Sequence, residues 1–258
     1  MFPHFEGKHA HEELLTPAAV RDWRRSQGRL PARVPESVVI VYSDSLYHLA
    51  ITGAPTSSIG GSGLLGRVHT FDRTDGRVGV IGGFGLGAPV ATIVLEDLIA
   101  LGVRRFLSIG SAGALQPDLT PGDLVVCTRA IRDEGVSHHY TRPEVPAEPD
   151  PALTDALEEA IGLAGLGSRT RRGGSWTVDA IYRETVAEAR HYQAEGVQCV
   201  EMEAAALFTV ATHRGVALAS AFCIADSLAA AEWESRWDHP DIATNLHALL
   251  LASVATLS

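Results

Sequence analysis

Short, wholly apolar runs rich in β-branched residues alternate along this chain with segments whose apolar residues recur every three or four positions. That alternation narrows the fold more than any other feature, because it is the pattern of a sheet buried on both faces by helices. Val38–Tyr42 (VVIVY), Val78–Gly82 (VGVIG), Phe106–Gly110 (FLSIG), Leu124–Thr128 (LVVCT) and Ala217–Asp226 (ALASAFCIAD) read as buried strands. Between the second and third, PVATIVLEDLIALG opens on Pro89, places Val90, Ile93, Val94, Leu98 and Leu101 at helical spacing, and closes on Gly102. Pro151–Gly162, Glu201–His213 and Ile242–Thr256 are further expected helices. The first 35 residues differ in texture, with five Arg, four Pro and three His, and are expected to form a helical arm over Pro17–Gln27. Arg142–Pro151 (RPEVPAEPDP) is a loop, not a boundary, because strand-like and helical runs continue on both sides. The expectation is one α/β domain, residues 36–258, with a central mixed, mostly parallel β-sheet flanked by helices and an N-terminal arm, 1–35.

Composition removes several classes of function. With 46% hydrophobic and 20% charged residues, 258 residues can bury a large core. Twenty-one basic against 31 acidic side chains leave a net charge of −10, which argues against a nucleic-acid surface and an anionic membrane surface. The longest uncharged apolar stretch, Gly215–Ala225, falls short of the ~18 residues of a membrane span, and Met1–His11 has no apolar signal core. Cys127, Cys199 and Cys223 stand far apart with no CxxC pair, so neither a disulfide framework nor a metal site is expected. A cytoplasmic location follows as an expectation.

Four features carry chemistry. Gly82–Pro89 (GGFGLGAP) follows a strand and opens a helix, where glycines let a backbone approach a ligand and a helix N-terminus favours an anion. Residues 83–88 satisfy G-x-G-x-x-A, but the next strand runs into Ile109-Gly110-Ser111-Ala112-Gly113, without the acid a dinucleotide site needs, so no nicotinamide or flavin cofactor is expected. That strand end, SIGSAGAL (108–115), is either a plain tight turn or a nest of small residues exposing N–H groups and the Ser111 hydroxyl to a phosphate, water or sugar oxygen. Glu201-Met202-Glu203 opens a helix, where acids complement the helix dipole; a carboxylate there also suits the paired hydroxyls of a ribose, with a thioether packing on the sugar. Asp226 ends an apolar strand, where it is either a turn or cap residue or, with desolvation favouring its neutral form, a proton donor.

Six blocks in order, GFGLGAPVATIVLEDLIALGV (83–103), FLSIGSAGALQPDLTPGDLVV (106–126), AIRDEGVSHHY (130–140), WTVDAIY (176–182), GVQCVEMEAAALFTVA (196–211) and FCIADS (222–227), resemble the nucleoside phosphorylase superfamily. This family holds uridine phosphorylases, hexameric purine nucleoside phosphorylases and the adenosylhomocysteine/methylthioadenosine nucleosidases; 106–140 looks most like uridine phosphorylase. The resemblance implies that Glu203 binds ribose hydroxyls with Met202 packing on the sugar and Glu201 nearby. It implies that Ser111, beside Gly110 and behind the loop at Gly85, touches phosphate and sugar. Asp226 matches the Asp by which purine-specific members protonate the base, where uridine phosphorylases carry Asn. Ile181 and Tyr182 match a pair whose first member stacks on the base. His4 or His9 would reach a neighbouring subunit's sugar 5′-oxygen, which implies a homo-oligomer, from dimer to hexamer.

The chain departs from the phosphorylase pattern at the anion. Tyr47 stands where the first phosphate-binding Arg should, Ser108 at the second, and Arg67 is the nearest candidate for a third. Loss of two charge-assisted contacts at ~1.5–3 kcal/mol each weakens phosphate binding by two orders of magnitude or more. The nucleosidases share Gly-Ser-Ala-Gly but place a Glu after the first strand, where this chain offers Asp44; Thr185 and Ala187 fall at or near the uracil-reading Gln and Arg of uridine phosphorylases. The expected reaction is cleavage of a nucleoside N-glycosidic bond, a purine-like base favoured, by phosphorolysis to free base and ribose 1-phosphate. Phosphate is then the co-substrate, with no cofactor and no metal. Phosphate-independent hydrolysis is the alternative, a non-catalytic nucleoside-binding protein the third reading.

Overall fold

The computed structural model describes residues 5, 7–31, 33–59, 67–230 and 232–258. Its sheet is built around β1 (Ser37–Val41), β4 (Val78–Gly82), β5 (Arg105–Ala114) and β9 (Ala217–Ser227), each a run expected from the sequence. Sequence reading did not separate β2 (Thr56–Ser58), β3 (Arg67–Phe71), β7 (Thr170–Val178), β8 (Cys199–Glu201) or the two-residue β10 (Glu234–Ser235). β7 escaped because its first half, TRRGG, is neither apolar nor alternating. β6 (Leu124–Asp133) continues five residues past its apolar start.

The strand order is β10-β9-β6-β7-β8-β5-β1-β4-β3-β2, with β9 also pairing β5. The five strands β5, β9, β6, β7 and β8 therefore close on themselves, and β1-β4-β3-β2 extend from one flank of β5. The long pairings, β5 with β9 and β6 with β7, are parallel; the antiparallel ones, such as β5 with β8, are shorter. Helices cover both faces, as a sheet buried on both sides requires.

Helix ends follow their local chemistry. In α1 (Pro17–Ser26) the Thr16 hydroxyl accepts the Ala19 N–H at 3.1 Å, and in α4 (Pro151–Leu163) the Asp150 carboxylate accepts the Leu153 N–H at 2.8 Å. Thr185 and Glu188 form a capping box on α5 (Val186–Ala194). The remaining helices are α2 (Asp44–Thr52), α3 (Ala88–Leu101), α6 (Ala204–Arg214) and α7 (Pro240–Leu257). α3 and α6 bury one face of the sheet with Val38, Ile40, Phe106 and Phe222; α4 and α7 bury the other with Val39, Leu107, Ile109 and Ala221. The arm docks on that first layer through Arg24–Asp97 at 2.9 Å and Glu13–Arg214 at 2.8 Å.

One expectation needs correction here. The small residues 111–114 are not a turn after β5 but its continuation, interrupted by a register shift between Ala112 and Gly113. Absence of large side chains lets β5 pass this irregularity while staying paired to β9.

Candidate active site

β5 changes partner along one edge. Its first half pairs with β1 as far as Ile109↔Val41, and its end pairs with β8 from Gly113↔Val200. Between them, among the described residues, Gly110, Ser111 and Ala112 have no strand partner on that edge. A gap of this kind in an α/β sheet is where ligands enter. Gly113 also pairs with Asp226 on its other side, so Val200 and Asp226 flank one glycine. Two acid-bearing segments, Glu201–Glu203 and Asp226, therefore converge at the end of β5.

Two acids in the same motif do different work. Glu201 ends β8 rather than lying in the first turn of a helix, and Glu203 is the N-cap residue of α6. The Glu201 carboxylate accepts the N–H groups of Glu203 and Ala204 at 2.7 Å each, the Ser175 hydroxyl at 3.1 Å, and the Thr177 hydroxyl. All of its oxygens are thus used by the protein, and they satisfy the orphan donors at the start of α6. Glu203 has one oxygen committed: Oε1 accepts the Gly87 N–H at 2.6 Å. Burial, reinforced by the neighbouring Glu201, pushes its carboxyl up to about 8, against the pull of the Gly87 and Met202 N–H groups.

Gly83, Gly85 and Gly87 all have φ between +72° and +98°, and a Cβ at Gly83 or Gly85 would meet nothing within 4 Å. The loop therefore needs glycine for its left-handed turns and presents its backbone openly. Ser111 is exposed on β5 and Met202 is half-buried.

The positions expected to face the anion carry hydroxyls. Tyr42, just past β1, lies 2.8 Å hydroxyl-to-hydroxyl from Ser108 and packs edge-on to Phe84. Ser108 is 1% exposed, so its hydroxyl serves Tyr42 inside the fold rather than facing the cleft. Tyr47 is likewise committed, donating to the Arg67 carbonyl or the His69 ring, each at 2.8 Å. Its ring fills the space a Cβ on Gly82 would need. Arg67 is exposed and pairs in register with Gly82, at the root of the glycine loop.

At the end of β9, Asp226 is half-buried, and burial raises its carboxyl above its ordinary value. The Trp233 indole N–H donates to its Oδ2 at 2.7 Å and opposes that rise. Glu184 is pushed up to about 7 by burial and by the charge of Asp226. Sequence reading missed Tyr42, Glu184 and Trp233. Tyr42 closed a quoted strand, whereas nothing local marks the other two. Ile181 and Tyr182 occupy a 3-10 turn beside Glu184 and are 47% and 96% exposed. His9 lines a cavity of about 680 Å³ between the arm and α3, with Pro89, Thr92 and Tyr140, that includes neither Glu203 nor Asp226. His4 lies outside the described residues. No cluster of three or more His, Cys, Asp or Glu suited to a metal occurs among the described residues, and no described helix is long and apolar enough to cross a membrane.

A family model described as "Phosphorylase superfamily" matches residues 40–255. Uridine phosphorylase of Salmonella typhimurium is 35% identical over 156 residues, covering 55% of this chain and 61% of that protein. Guanosine phosphorylase of Halorubrum lacusprofundi is 38% identical over 143 residues, covering 55% and 58%. The chain thus matches about three fifths of the length of these curated relatives. Among solved structures, purine nucleoside phosphorylase from Toxoplasma gondii in complex with immucillin-H has a TM-score of 0.73 at 20% identity, covering 87% of this chain and 92% of that one. The P. knowlesi homolog of P. falciparum PNP has a TM-score of 0.72 at 21% identity, covering 98% and 96%. Both share the fold.

Proposed function

Because this chain belongs to the phosphorylase superfamily, we propose that it cleaves the N-glycosidic bond of a nucleoside, phosphate being the acceptor. The observation that supports this reading is the pairing of Gly113 with Val200 on one edge and with Asp226 on the other, so that the segments bearing Glu203 and Asp226 flank the same end of β5.

In this reading the second oxygen of Glu203 accepts the ribose hydroxyls, while Oε1 stays held by Gly87. Met202 packs on the sugar. As the C1′–N bond lengthens, positive charge grows on the ribose and the bonding pair moves to the base. A phosphate oxygen, held by Ser111, the open N–H groups of the glycine loop and Arg67, forms the new C1′–O bond. Asp226 gives its proton to the departing base, and its raised affinity for that proton fits the role. The products are free base and pentose 1-phosphate. Asp226 favours a purine-like base, in keeping with the similarity to a guanosine phosphorylase. We place the protein in the cytoplasm as a homo-oligomer, with His9 or His4 serving a neighbouring site.

Hydrolysis is the second reading, favoured by one observation. Both positions where phosphorylases carry arginines hold hydroxyls, Tyr47 and Ser108, already hydrogen-bonded within the protein. The deciding experiment is base release from guanosine, inosine and uridine with and without phosphate. Phosphate-dependent release with ribose 1-phosphate formed is expected; release indifferent to phosphate overturns phosphorolysis, and no release from any nucleoside overturns the enzyme.

A further inference from the structure

The segment after β9 turns back on it. β10 pairs antiparallel with the last two residues of β9, Ser235 opposite Asp226 and Glu234 opposite Ser227, and the Arg236 N–H donates to the Ala225 carbonyl at 3.2 Å. This hairpin carries Trp233 to Asp226, where the indole nitrogen lies 2.7 Å from Oδ2. Trp233 is 56% exposed and stands edge-on to Trp237 at 5.6 Å, so it contributes little core.

We propose that Trp233 is a positioning residue that decides which oxygen of Asp226 carries the transferable proton. An indole N–H donates and cannot accept. The oxygen it contacts must therefore offer a lone pair, in the acid and in the carboxylate alike. When Asp226 is neutral its proton resides on Oδ1, the oxygen 3.4 Å from where a Cβ of Gly113 would stand, on the side toward β5. After the proton leaves, the same N–H stabilises the carboxylate that remains. Trp233 thereby both aims the acid and limits how tightly burial makes it hold its proton.

The charged groups around Asp226 are few. Glu184 faces it from the segment between β7 and α5, and Glu234 and Arg236 on the hairpin pair with each other at 2.8 Å. Among the described residues, Glu184 is a group whose own titration the charge of Asp226 raises. The inference rests on Asp226 being the acid of the proposed reaction, and the test separates the two.

Trp233→Phe keeps the ring and deletes the donor. Its kcat and KM for guanosine, inosine and uridine are measured in phosphate from pH 5 to 9, beside Asp226→Asn and the double variant. The Asp226 carboxyl is titrated by ¹³C NMR in wild type and Trp233→Phe. A hydrogen bond to a charged group is lost, so the Asp226 titration should move up by about one pH unit. Turnover should fall about tenfold with KM within about twofold, and Asp226→Asn should absorb the whole effect in the double variant. An unmoved titration overturns the inference, whatever the activity. So does a Trp233 effect that multiplies with Asp226→Asn. Full activity of Asp226→Asn overturns instead the role of Asp226 as the acid, leaving the titration to judge the hydrogen bond.

Discussion

Glu203 and Gly87 are 116 residues apart in sequence and joined by a 2.6 Å hydrogen bond from the glycine N–H to Oε1. This bond ties the start of α6 to the start of α3. Gly87 has φ +98°, a conformation an L side chain rarely adopts, so the anchor depends on glycine.

Glu203→Gln keeps an acceptor for Gly87 but weakens the oxygen proposed to meet the sugar. Above about pH 8, where the Glu203 carboxyl is ionised, charge-assisted hydrogen bonds to two hydroxyls would become neutral ones, so kcat/KM measured there should fall at least about 100-fold. Steady-state kinetics with ribosides and with 2′-deoxyribosides check it. The deficit should shrink when the 2′-hydroxyl is absent, and an equal loss on both substrates would place Glu203 away from the sugar.

Asp226→Asn removes the proposed proton donor and should lower kcat by about 10²–10⁴. The loss should be smaller for nucleosides whose base leaves well without protonation. A loss that is uniform across leaving groups would assign Asp226 to binding instead.

Glu201→Ala should act on stability before chemistry. It strands the N–H groups of Glu203 and Ala204 and the hydroxyls of Ser175 and Thr177, all buried. Unsatisfied buried donors make this cost at least about 3 kcal/mol, read as a lower urea midpoint. An unchanged midpoint would mean that water replaces the carboxylate without penalty.

Stability should fall as pH rises from about 5 to about 8. Burial raises Glu203 to about 8 and Glu184 to about 7, and raises Glu201 and Asp226 as well. Above the ordinary carboxylate range the unfolded chain has released these protons while the folded one still holds them, so raising the pH favours unfolding. Below that range both states hold them and the effect vanishes. Thermal unfolding across this range should show a declining Tm, and Glu203→Gln should flatten the slope.

Gly113→Ala tests the convergence itself. Its Cβ would lie 2.6 Å from Leu228 Cδ1 and 3.1 Å from Val200 Cγ1, crowding the side chains just past β9 and on β8. Overpacking of this kind costs about 1–3 kcal/mol, and misplacing both acids should lower kcat/KM by about 10–100-fold in a protein that still folds. Wild-type kinetics in the folded variant would show that the spacing of β8 and β9 is not critical.

The alternation of apolar runs and 3.6-residue periodicity was enough to locate β1, β4, β5 and β9, because burying two faces of a strand constrains every residue in it. The left-handed glycines of the 83–87 loop and the apolar approach to Asp226 were legible for the same reason, since each is a property of neighbours in the chain. The division of labour between Glu201 and Glu203 was not, and neither was the withdrawal of Ser108 behind Tyr42 or the hold of Trp233 on Asp226. Identical carboxylates two residues apart read alike in sequence. Which one takes up the N–H groups at the start of α6 and which one anchors the glycine loop depends on where β8, β5 and that loop come to lie. Only sheet register supplies the hydrogen-bond donors that tell them apart.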